Sequence, residues 1–156
     1  MFAFLKLKHN GVMCFDPSEP DIDKSQFPSE DWSALAYGKC KEELPPNAPK
    51  SRGLGFTMRD FVDSDHAGDI ITRRSRTGFL IFLNSAPIYW YFKKQGSVET
   101  SSFGAEFIAM KQCCEYVRGL RYKLRMMGIL VDLPSYIFGD NQSVLEVEIG
   151  RSIVVR

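Results

Sequence analysis

Residues 60–69, Asp60-Phe61-Val62-Asp63-Ser64-Asp65-His66-Ala67-Gly68-Asp69, decide how the rest of the chain is read. Phe61 and Val62 give way at Asp63 to a loop of turn-forming residues, Ser64–Asp69, as at the end of a strand that delivers an acid to a sheet edge. Working outward, Gly78-Phe79-Leu80-Ile81-Phe82-Leu83 is a wholly apolar run and Asn84-Ser85-Ala86-Pro87 is turn-like. Ile88-Tyr89-Trp90-Tyr91-Phe92 is a second such run, stopped by Lys93-Lys94-Gln95-Gly96. Three strand-like runs with short connections predict an antiparallel meander. Because the runs do not alternate, both sheet faces are expected to be covered.

Residues 101–128 predict one long helix. Phe103, Phe107, Met110, Cys114, Val117, Leu124 and Met127 recur at spacings of three, four and seven, which lines up one apolar stripe. Ser102 is the expected N-cap and Gly128 the expected stop. Ser135-Tyr136-Ile137-Phe138-Gly139 reads as a further strand, and Asp140-Asn141-Gln142-Ser143 turns into a helix near Val144. Strands followed by a crossover helix and another strand imply an α/β fold, a mixed sheet with packed helices.

The flanks are different in character. Residues 1–13 hold the apolar Phe2, Phe4, Leu5 and Leu7 in a stretch too short for a stable helix alone. Residues 14–55 carry Pro17, Pro20, Pro28, Pro45, Pro46 and Pro49, which forbid long regular structure and leave room for a short helix near Asp31–Tyr37. The domain reading is therefore a tail and connection at 1–55, a folded unit at 56–145, and a divergent tail at 146–156.

The chain of 156 residues has 44% hydrophobic and 25% charged residues, the balance of a globular domain rather than a disordered one. Its formal net charge of +1 gives no overall argument for nucleic acid, so only a local patch can make one. The cysteines show no C-x-x-C pair, which argues against a structural zinc site, and Cys113 and Cys114 read as buried free thiols in a helix. No apolar run reaches the roughly 20 residues of a membrane helix, and the N-terminus lacks the pattern of a secretory signal. An intracellular setting without a membrane partner is expected.

Three acids stand out by position. Asp63 ends the first strand, Asp140 ends the later one, and Glu106 lies one turn into the long helix beside its apolar stripe. If the two strands pair in parallel, Asp63 and Asp140 emerge side by side, and the helix packed across them supplies Glu106. Converging carboxylates suit magnesium, which takes hard oxygen ligands, and a pair of such ions suits phosphodiester cleavage. Spacing alone does not single out this trio among nineteen acids.

Five motifs in order add to that reading. Val62–Asp69 resembles the D-x-D-x-A-G-D opening of the ribonuclease H region in copia-type retrotransposon polyproteins. Thr72-Arg73-Arg74-Ser75-Arg76-Thr77-Gly78 is similar to its R-R-S-x-x-G. Trp90 with Lys93-Lys94-Gln95 resembles W-x-x-K-K-Q, Ser101–Ala109 resembles S-S-x-x-A-E-[YF]-x-A, and Asp140–Ser143 resembles D-N-Q-S. The resemblance implies a ribonuclease H-like fold with a five-stranded mixed sheet. It also implies two magnesium ions on Asp63, Glu106 and Asp140, and cleavage of RNA in an RNA–DNA hybrid. It makes the reverse transcriptase part of a parent polyprotein a partner, with residues 1–13 as that part's tail, in the cytoplasm, a virus-like particle or the nucleus.

After Val144 the likeness fades. The family's final helix, with a fourth acidic ligand, has no counterpart in Leu145–Arg156, so the domain is expected to be C-terminally incomplete, with an unpaired edge where the last strand belongs. The expected outcome is a weakened nuclease or an inactive remnant that binds nucleic acid weakly. Arg73, Arg74, Arg76, Lys93 and Lys94 are the candidate phosphate contacts, against the alternative of a solvated turn. Asp65 is open between a further ligand and a loop anchor, and His66 reads as a loop residue. Tyr89–Phe92 are expected to pack in the core, and Arg118, Arg121, Lys123 and Arg125 to form a solvated helix face.

Overall fold

The computed structural model describes residues 12, 14–23, 25, 44–140 and 152–155. The helices expected within 1–13, near Asp31–Tyr37 and from Val144 lie outside the described residues. Three strands, β1 (Met58–Asp65), β2 (Arg76–Leu83) and β3 (Ala86–Lys94), precede a long helix, α1 (Ser102–Met126); β4 (Ser135–Phe138) and β5 (Ser152–Val155) follow. The sheet order is β3-β2-β1-β4-β5. The first three strands form the expected antiparallel meander, and β1 pairs in parallel with β4.

The strands overrun the boundaries read from sequence. β1 continues through Asp65, and β3 takes in both Ala86 and Lys94, so the β2–β3 turn shrinks to Asn84-Ser85. Asn84 accepts a positive φ of 54°, which asparagine tolerates better than most residues, and its side chain bonds the Thr57 N–H at 2.9 Å. The helix starts one residue away from expectation. Ser101, not Ser102, is the N-cap, with extended backbone and a hydroxyl that accepts the Gly104 N–H at 3.1 Å. Gly128, at φ 74°, follows the last turn as a left-handed stop.

One face of the sheet meets α1. Met58, Val62, Phe79, Ile81 and Ile137 pack there against Ala109, Met110, Cys113 and Val117. Among the described residues nothing comparable covers much of the other face, which corrects the expectation of a sheet buried on both sides. Trp90 and Phe92 are each 62% exposed, while Tyr91 stacks on Phe79 at 4.7 Å and Tyr89 on Tyr116 at 4.2 Å. The aromatic run therefore alternates in burial although it does not alternate in polarity. Only Tyr89 and Tyr91 join the core.

Two further expectations change. The edge beyond β4 is not bare, because Ser152–Val155 pairs with it antiparallel, from Ser135↔Val155 to Phe138↔Ser152. The run Ile153-Val154-Val155 is β-branched throughout, which favours a strand over an irregular tail. Arg121 is buried rather than solvated: its guanidinium donates to Leu133 O at 2.8 Å, Ser135 Oγ at 3.0 Å and Val131 O at 3.4 Å. It thereby ties the end of α1 to the loop that leads into β4.

Candidate metal centre

The parallel β1–β4 ladder runs from Met58↔Ser135 to Phe61↔Phe138. Asp63 and Asp140 each stand two residues beyond the Phe61↔Phe138 pair, one still in β1 and one just past β4. The first turn of α1 crosses this end of the sheet and brings Glu106. One carboxylate oxygen from each of Asp63, Glu106 and Asp140 lies within 4.8 Å of the others. Asp63 and Asp140 are exposed and Glu106 is half-buried.

Three carboxylates this close repel one another unless a cation or proton intervenes. The effect is visible at Glu106, whose pKa is raised, first by burial and then by the charges of Asp140 and Asp63. The Ser64 N–H and hydroxyl offset part of that rise, although the hydroxyl falls short of hydrogen-bond geometry. Among the described residues no lysine or arginine forms an ion pair with any of the three. Hard oxygen donors, mutual repulsion and the lack of a protein counter-charge fit a divalent cation such as magnesium.

Asp65 lies outside this group. Its carboxylate meets Arg76 at 3.4 Å and fills the place a side chain on Gly68 would need. Within the same loop, Asp69 pairs with Lys94 at 2.6 Å and accepts the Thr72 N–H at 2.7 Å, which holds its carboxyl well below the usual carboxylate range. Of the five candidate phosphate contacts, Arg76 and Lys94 thus brace the loop, while Arg73, Arg74 and Lys93 are exposed and form no salt bridge among the described residues. His66 is exposed.

Two buried polar residues near the centre escape a reading based on motif and charge. Asp60, wholly buried on β1, has a carboxyl group that makes no hydrogen bond among the described residues. Gln95, 2% exposed, donates its amide to Thr77 Oγ1 at 3.1 Å and Ala105 O at 2.9 Å. The only sequence signal for Gln95 is its place in the Lys93-Lys94-Gln95 motif.

No protein-family profile matches the chain, and no solved structure does. A stretch of 90 residues, 58% of the chain, is 30% identical to the Retrovirus-related Pol polyprotein from transposon RE2 of Arabidopsis thaliana, covering 6% of that protein. A stretch of the same length and share is 31% identical to the Retrovirus-related Pol polyprotein from transposon TNT 1-94 of Nicotiana tabacum, covering 7% of it. Over 79 residues, 47% of the chain, it is 35% identical to the Secreted RxLR effector protein 161 of Plasmopara viticola, covering 56% of that protein. The chain thus corresponds to a small part of the polyproteins it matches.

Proposed function

Starting from a chain related to a region of retrotransposon Pol polyproteins, we propose that the sheet β1–β5 with α1 is a ribonuclease H-like unit that cleaves RNA in RNA–DNA hybrids. The observation that carries the reading is the meeting of Asp63, Glu106 and Asp140 within 4.8 Å at the shared end of two parallel strands. Asp63, Glu106 and Asp140 would hold magnesium, which when bound would supply Lewis acidity for phosphodiester cleavage. The chain's own part is placement. The β1–β4 register sets Asp63 beside Asp140, and α1 lowers Glu106 over them from a less solvated position, where charge interactions are stronger. Arg73, Arg74 and Lys93, exposed and unpaired among the described residues, supply charge for the phosphates that dominate nucleic-acid affinity.

A second reading has one observation behind it: among the described residues the cluster holds three acids, and two-metal chemistry is sensitive to the placement of both ions. On this reading the chain binds a hybrid without cutting it. The deciding experiment is cleavage of a labelled RNA–DNA hybrid with magnesium, by the parent chain and by Asp140→Asn. Cleavage by the parent and loss of at least about 100-fold in the variant supports the nuclease, as removal of a group that stabilises transition-state charge commonly does. A folded parent that binds the hybrid and leaves it intact supports the second reading.

A further inference from the structure

We propose that Gln95 is a positioning residue whose side-chain amide sets the spacing between Asp63 and Glu106. The inference rests on the metal-centre reading above. Gln95 lies just past β3, buried between the sheet and the start of α1. One arm of its NH2 group donates to Thr77 Oγ1, and Thr77 is the register partner of Ser64, the residue after Asp63. The other arm donates to the carbonyl of Ala105, the residue before Glu106. A single planar group therefore spans from the strand frame of one carboxylate to the helix turn of the other.

The amide is itself held from behind. The Gln95 N–H donates to Ser75 O at 2.8 Å, and the buried Ser75 hydroxyl accepts the Ala67 N–H at 3.0 Å. This links the loop that leaves Asp65 to the same network. The two donated bonds stabilise the fold, and one unsatisfied acceptor offsets part of that gain. Gln95 Oε1 is buried without a partner among the described residues, an arrangement that costs free energy and that an apolar side chain of equal length would avoid. What such a side chain loses is the directed pair of bonds. Groups hydrogen-bonded directly to metal ligands commonly change metal affinity about 10–100-fold when removed, and Gln95, one bond further out, is expected at the low end of that range.

The test compares the full chain with Gln95→Met, near in length and unable to donate, and with Val131→Ala, a core truncation at the far end of α1. Hydrogen exchange of the residue 105–108 amides should rise about 10-fold in Gln95→Met and stay at the parent value in Val131→Ala, once both are matched for global stability. Affinity for manganese(II) alone, measured by calorimetry, should fall about 10-fold in Gln95→Met and not in Val131→Ala. Unchanged exchange in Gln95→Met, or a manganese affinity equal to the parent's, would overturn the proposal. A folded parent that takes up no manganese removes the metal reading instead, and the exchange result then decides on its own whether Gln95 fixes the first turn of α1.

Discussion

Asp60 on β1 and Arg121 on α1, both buried, feel each other's charge without sharing a hydrogen bond. Burial pushes the Asp60 carboxyl up to about 8, and the Arg121 guanidinium pulls it back only in part. The folded chain therefore keeps a proton on Asp60 that the unfolded chain releases near pH 4. Stability from this group is fully present below that pH and is lost as pH rises through about 8. The loss approaches about 1.4 kcal/mol per pH unit within that window. Urea denaturation at pH 5 and pH 8 should show a markedly larger drop for the parent than for Asp60→Asn, which does not titrate. Equal drops would mean that Asp60 is ionised in the folded state.

Asp65 should behave as a brace, not as a cation ligand, because its carboxylate turns toward Arg76 and lies under Gly68. Asp65→Ala is expected to leave manganese affinity within about 2-fold of the parent and to cost about 0.5 kcal/mol of stability, as for an exposed ion pair. Asp63→Ala should abolish manganese binding. Comparable losses in the two variants would make Asp65 a ligand.

Neighbouring aromatics on β3 should respond very differently to substitution. Trp90 faces solvent, so Trp90→Thr, which keeps a β-branched residue in the strand, should change unfolding free energy by no more than about 0.5 kcal/mol. Tyr91 stacks on Phe79 at 4.7 Å, so Tyr91→Ala should cost about 2–4 kcal/mol. A larger cost at Trp90 than at Tyr91 would reverse the assignment of the two faces.

The element order was legible because hydrophobic periodicity survives in part: short apolar runs with turn residues between them make the meander, and Met110, Val117 and Leu124 of the expected stripe are buried on α1, whereas Phe103, Phe107 and Met127 are exposed and Ala105, Ala109, Cys113 and Arg121 complete the core face. The meeting of Asp63 with Asp140 was legible only conditionally, since it depends on a parallel pairing that follows from strand–helix–strand logic and not from either local sequence. The number of covered sheet faces was not legible. An apolar run such as Tyr89–Phe92 reports that residues prefer burial, while the layers available decide which of them obtain it. Asp60 and Arg121 were missed for the opposite reason. Charged residues read as solvated by default, and only tertiary packing shows that Arg121 finds carbonyl and hydroxyl acceptors inside.

The position of β1 at the centre of the sheet has a kinetic consequence. Its pairing with β2 joins neighbours in the chain, whereas its pairing with β4 closes a loop that contains β2, β3 and α1. Closing the longer loop is the slower event. Bringing Asp140 beside Asp63 therefore carries a larger chain-entropy cost than forming the meander. A cation held by the three acids would offset part of that cost by stabilising only the state in which the β1–β4 pairing is made.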